Sequence, residues 1–290
     1  MALEDSSSVM QAYVEKAMVD LPSLPTTIVQ VVQAMESETV TTRQIEDLIG
    51  TDPAVVTKLL KVVNSAYFGM PRQIGSISQA IAILGMHQVR NLVLSIGVLN
   101  ALSGDSTRTE IMQRRFWERS FGAAACAQLL AQHKKLHPKE QEALFVAGLL
   151  HDIGILFMLT QFTAPYLEVL EHSFKNDEPL IDVERRLMKT DHASLGGMLA
   201  EIWNFPEGLE ELIRCHEEPG NPDEMPAVAC IHAAGRIACS LMGGDFTGCP
   251  QQMAPEVADW LDMSDDQLDE LKEQVRAQVG EAAEFLGLLV

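Results

Sequence analysis

In the run FVAGLLHDIGILFML, residues 145–159, a histidine and an aspartate, His151 and Asp152, interrupt an otherwise apolar helical sequence. Imidazole and carboxylate can ligate a divalent cation, or can pair with charged side chains. Burying an unpaired carboxylate costs on the order of several kcal/mol, so something of opposite charge must face this pair. Four other histidines, His87, His133, His137 and His172, stand in polar or helix-end surroundings and read as solvated side chains.

Elements at helical spacing must position the pair. Ala, Leu, Met, Gln and Glu recur along nearly the whole chain and β-branched alternation is almost absent, which predicts an all-α fold. The pattern predicts a short helix over 9–20, ended by LPSLP at 21–25, and another from Thr26 or Thr27 to Met35. Thr41 with Gln44 has capping-box spacing, with Gly50 as the stop. Asp52 caps a largely buried helix that begins at Pro53. Residues 64–102 read as a loop followed by two apolar helices that part at Gly85. Asn64 and Ser65 follow the buried helix and suit capping or backbone bonding. The polar stretch 104–108 marks a boundary between lobes of about 1–105 and 106–290. Helices are expected over 107–133, 138–159, 161–177, 179–188, 191–203, 206–217 and 225–243, then a turn-rich connection over 243–255. Ser264 with Gln267 opens a last, acidic helix whose Leu268, Leu271, Val275 and Val279 should dock it.

Composition narrows the class. The chain has 290 residues, 47% of them hydrophobic, and 21 Lys and Arg against 41 Asp and Glu, a net charge of −20. Such a chain has no electrostatic footprint for nucleic acid or an anionic membrane. The apolar segments 91–102 and 144–160 are short or interrupted, and the N-terminus MALEDSSSVM lacks a targeting pattern, so a cytoplasmic protein is expected. The five cysteines, Cys126, Cys215, Cys230, Cys239 and Cys249, show no CxxC spacing and read as reduced thiols buried as small apolar residues.

The segments LPSLPTTIVQVV, IGTDPAVVTKLLKVVNSAYFG, GSISQAIAILGMHQVRNLVLS, LFVAGLLHDIGIL and DHASLGGMLAEIWNFPEGLEELIRCHEEP resemble, in order and spacing, the HDOD domain. That bacterial signal-transduction module is related to the HD metal-dependent phosphohydrolases. The resemblance covers roughly 18–240 and implies an N-terminal helical lobe, a C-terminal HD-like lobe and a regulatory role without hydrolysis. His151 and Asp152 match the central metal-binding pair, and His192 and His216 stand where further family histidines stand.

The outer positions depart from the pattern. Arg119 occupies the place of the early metal histidine, and a guanidinium cannot bind a cation; Gly235 occupies the place of the late aspartate and offers no ligand. Arg119 is therefore expected to pair with Asp152 in two-point fashion, a salt bridge standing where the metal would be. His232, three residues before Gly235, could replace the missing ligand, and Glu118 could contribute if the register shifts by one. Three functions follow. The favoured one is a non-catalytic regulatory module without a cofactor, acting through other signalling proteins or a second copy of itself. The alternatives are a divalent-metal phosphohydrolase of a nucleotide or cyclic dinucleotide, using His151, Asp152, His192 and His216, and a phosphate or nucleotide sensor without turnover.

Overall fold

The computed structural model describes residues 21, 23–35, 37, 39–65, 68–102, 107–242 and 252–281. The helix expected over 9–20, residues 104–106 of the expected lobe boundary and Cys249 lie outside them. Among the described residues every regular element is a helix.

The N-terminal helices start where local chemistry says they should. Helix α1, Thr26–Ala34, follows Pro25. Helix α2, Thr42–Gly50, opens on a complete capping box, Thr41 accepting from the Gln44 N–H while the Gln44 side chain accepts from Thr41. Helix α3, Pro53–Val63, begins at a proline whose missing N–H is no loss there, with Asp52 accepting from Ala54 and Val55. Asn64 then ties the end of α3 to the following loop, donating to the Leu60 and Ile74 carbonyls at 2.7 and 2.8 Å and accepting from the Ile74 N–H at 2.7 Å. Helices α4, Ile77–Leu84, and α5, Met86–Ala101, part at Gly85, whose φ of +84° suits glycine.

The long helix α6, Thr107–His133, is the spine of the rest. Its small residues, Ala123 to Ala127 around Cys126, let α7, Pro138–Leu150, and α13, Pro226–Met242, approach closely. A Cβ on Gly148 of α7 would lie 2.6 Å from the Ala124 Cα, so the two backbones touch there. Around this layer lie α8 (Ile153–Gln161), α9 (Thr163–Asn176), α10 (Leu180–Leu187), α11 (His192–Ile202) and α12 (Leu209–Cys215). Two elements differ from expectation. The helix foreseen over 138–159 is two helices, parted at His151–Asp152, and the connection after α13 yields a short helix α14, Pro255–Leu261. The acidic α15, Asp265–Glu281, docks on α6 through Leu271 and Val275, its capping box formed by Ser264 and Gln267.

Buried apolar side chains form one continuous cluster from Leu24 to Val275, including Trp117 and Trp203. The stretch Ala143–Gln161 is long and apolar enough to cross a membrane, but 89% of it is buried in this core. Cys126, Cys230 and Cys239 are buried and Cys215 is half-buried, all four outside any disulfide.

Candidate functional site

The break between α7 and α8 explains how a polar pair sits in an apolar run. His151 donates from Nδ1 to the Gly148 carbonyl at 2.7 Å, satisfying a carbonyl that the ending helix leaves open. His216 repeats the device after α12, Nδ1 to the Ile213 carbonyl at 2.7 Å. Both rings thereby turn Nε2 inward. Asp152 caps the start of α8 by position, yet its carboxylate makes no capping bond and faces the interior. His192 opens α11, whose N-cap Asp191 accepts from the Ser194 N–H at 2.7 Å. Glu184 of α10 holds His192 twice, accepting from its backbone N–H at 2.9 Å and from its Nδ1 at 2.6 Å, while the Tyr166 hydroxyl donates to the other Glu184 oxygen.

These elements converge on one centre. Arg119, 4% exposed on α6, donates from Nη2 to Asp152 Oδ2 at 2.7 Å. His151 Nε2 lies 3.1 Å from the same oxygen. Asp152 Oδ1 faces His216 Nε2 at 3.3 Å and His192 Nε2 at 3.6 Å, and Glu217 Oε1 lies 3.5 Å from each of those nitrogens. Arg236 of α13 grips Glu217 at both oxygens, 3.1 and 2.5 Å. The cavity they line is about 20 Å³, room for one water or ion.

Charge, and not burial, decides the protonation states. Burial alone would lift the Asp152 carboxyl, but the charges of His151 and Arg119 beside it, with the His216 imidazole facing it, hold it well below the usual carboxylate range. Glu217, largely shielded from solvent, is held well below that range by the facing His192 and His216 imidazoles and by Arg236. Burial opposes the charged form of His192 and His216, yet their carboxylate neighbours raise His192 well above an ordinary histidine and His216 to about 9.

His232 is otherwise employed. Its Nδ1 donates to the His216 carbonyl at 2.8 Å and its Nε2 accepts from the Ala254 N–H at 3.0 Å, so no lone pair remains for a cation. Burial and the neighbouring Arg236 lower its pKa to about 4, consistent with that neutral form. The substitute-ligand role open to His232 from the sequence gives way to a structural one, fastening the loop before α14. Gly235 leaves space that a side chain would take from the centre, since a Cβ there would lie 3.1 Å from His151 Nε2. Glu118, half-buried, pairs with Arg114 at 3.1 Å and stays out of the centre.

The donor chemistry of the centre fits a metal ion. His192 Nε2 and His216 Nε2 are buried without a hydrogen-bond partner. Each lies between 3.3 and 3.6 Å from Asp152 Oδ1 and from Glu217 Oε1. A tetrahedral ion bound at about 2.1 Å separates its ligands by about 3.4 Å. Imidazoles anchored through Nδ1 to a carbonyl or carboxylate are the usual surroundings of histidine ligands. Two overlapping groups, His151 with Asp152 and His216, and His192 with His216 and Glu217, have ligand atoms close enough together to hold such an ion, which would supply Lewis acidity. Of the set expected from the sequence, His151, Asp152 and His216 make up one such group, and His192 and His216 form the other with Glu217, which the sequence did not single out.

Sequence reasoning missed Glu184, Glu217, Arg236 and Tyr166. Glu217 follows His216 directly and was the most accessible of them; nothing in the pattern of α10 marks Glu184 as facing His192.

An all-helical scaffold with an HD-like pair at a helix break defines the class. The sequence pattern of the HDOD domain matches residues 21–219, more than half of the chain, and the chain belongs to the HDOD domain family. α13, which carries His232, Gly235 and Arg236, lies beyond the matched span. A protein of Treponema pallidum (strain Nichols), described as uncharacterized, is 27% identical over 227 residues, 78% of this chain; the chain spans 43% of that relative's length. Three solved structures share the fold. An HDOD domain protein of unknown function from Geobacter sulfurreducens is 19% identical, with 97% of each chain covered and a TM-score of 0.68. A candidate phosphohydrolase from Shewanella amazonensis SB2B is 22% identical, with 97% and 99% covered and a TM-score of 0.70. A candidate signal transduction protein from Marinobacter aquaeolei VT8 is 18% identical, with 98% of this chain and 66% of that one covered and a TM-score of 0.73.

Proposed function

We propose that the chain is a non-catalytic regulatory module of bacterial signalling, in which the HD-related centre is a buried structural feature. The observation that carries this is Arg119 at 2.7 Å from Asp152, a fixed cation against the carboxylate that a hydrolase would offer its metal. A catalytic metal needs an open coordination position and a path for substrate. Here the cavity is about 20 Å³ and its polar lining is buried, too small for a phosphoryl group and far too small for a nucleotide. The same size argues against a phosphate or nucleotide sensor at this centre. Resemblance to the Marinobacter aquaeolei VT8 structure, named as a candidate signal transduction protein, agrees with a signalling role. Such a module works in the cytoplasm through other signalling proteins or a second copy of itself, with no call on nucleic acid or membrane at a net charge of −20.

The phosphohydrolase reading is favoured by one specific feature, the two unpartnered imidazole nitrogens facing Asp152 and Glu217. One experiment separates the readings. The purified chain is analysed for metal content, then incubated with zinc, iron, manganese or nickel and a set of nucleotides and cyclic dinucleotides. Metal without turnover, or neither, is expected. Hydrolysis that disappears in Asp152→Asn would overturn the regulatory assignment.

A further inference from the structure

A second cavity, about 350 Å³, opens where α5 meets α7, α12 and the start of α13. Its volume lies within the range of small-molecule sites, unlike the centre around Asp152. Its floor is apolar, formed by Val146 of α7, Leu209 and Leu212 of α12 and Ala227 of α13.

Its polar groups are few and point to a ligand. Asn91 of α5 lines the cavity at 5% exposure, and its carboxamide makes no hydrogen bond among the described residues. Its amide can both donate and accept toward a molecule in the cavity. Glu207 and Glu211 make no ion pair or hydrogen bond among the described residues, and Glu140 completes a set of three carboxylates around the opening. Arg90 and His87 are the basic side chains of the lining. Carboxylates in excess over an apolar floor repel phosphates and carboxylic acids and attract a cation that carries its own apolar surface.

We infer that this cavity binds a small organic cation, an ammonium group on an apolar body. The charged end faces Glu207 and Glu211, the body lies on Val146, Leu209 and Leu212, and Asn91 supplies the directional hydrogen bond. A molecule seated there touches α5 and the helices around the HD-like centre at once, so its binding couples the two groups of helices. The site is independent of whether the Asp152 centre holds an ion, and its test does not involve that centre.

The test uses phenethylammonium as probe, with 3-phenylpropionate as an anion of similar body and methylammonium as a cation without one, titrated into the full chain by calorimetry and by NMR. Saturable binding of phenethylammonium is expected, with the other two at least about tenfold weaker. Glu207→Gln with Glu211→Gln should weaken it by a similar factor, as should Asn91→Leu. A control, Glu270→Gln with Glu273→Gln on the distant α15, should leave it unchanged, which separates the cavity from general attraction to an acidic chain. The inference is overturned by absence of saturable binding up to about 10 mM, by equal binding of the anion, or by undiminished binding in the Glu207/Glu211 variant. Binding of a lysine-rich peptide without binding of the free ammonium would assign the cavity to a partner protein and overturn it equally.

Discussion

Asp152 is the residue on which the centre turns, because its two oxygens serve different neighbours: Oδ2 receives Arg119 and His151, and Oδ1 faces His192 and His216. Removing Arg119 strands a buried carboxylate, so Arg119→Ala is expected to lower unfolding free energy in urea by about 3–5 kcal/mol. Adding Asp152→Asn should recover part of that loss, a coupling that a double-mutant cycle reads directly. A near-neutral Arg119→Ala would mean that the pair contributes little. The histidines predict a pH profile. His232 has its pKa lowered to about 4, below the unfolded value near 6.5, so its stabilisation is complete above about 6.5 and is lost as pH falls toward 4. His216 runs the other way: raised to about 9, it stabilises fully below about 6.5 and loses that contribution as pH rises through 9. Stability measured by urea unfolding in chelator should therefore peak near neutrality. His232→Gln should flatten the acid limb and His216→Gln the alkaline one; an unchanged profile in both variants would remove these groups from the account.

At the scale of elements, the centre depends on how closely α6, α7 and α13 pack. Gly148 shows the constraint, since its absent Cβ is what lets α7 lie against the Ala124 backbone. In an exposed helix, glycine to alanine stabilises by about 1 kcal/mol. Here the sign should reverse: Gly148→Ala is expected to destabilise by about 1–3 kcal/mol or more, read from the urea midpoint, because two backbones must move apart. Stabilisation would show that α6 and α7 have slack. The break at His151–Asp152 belongs to this scale as well. Apolar periodicity runs from Pro138 to 159 without a further proline and predicts one helix, whereas the fold ends α7 at Leu150, caps Gly148 with the His151 ring and starts α8 at Ile153. Gly154, whose Cβ would collide with the His192 carbonyl, lets α8 and the start of α11 approach.

Over the whole molecule the apolar core runs without interruption from the N-terminal helices into those around the centre. A continuous core predicts one cooperative transition. Trp117, Trp203 and Trp260 all lie after residue 106, so tryptophan fluorescence reports the C-terminal helices while far-ultraviolet circular dichroism reports all of them. The two signals should coincide in urea. Separate midpoints would mean that the divided lobes, about 1–105 and 106–290, unfold independently.

Helix content, most helix starts and the place of the HD-like pair were legible in the sequence, because capping boxes, Pro53 after Asp52 and Gly85 act on neighbours a few residues away. The Arg119–Asp152 pair was legible for a different reason: a charge in an apolar run needs a countercharge, and the family resemblance placed Arg119 opposite. Glu184 against His192, Glu217 under Arg236 and the occupation of both His232 nitrogens were decided by tertiary structure alone. Each depends on the rotation of one helix against another, and periodicity shows which face of a helix is buried without saying which side chain on the facing helix it meets.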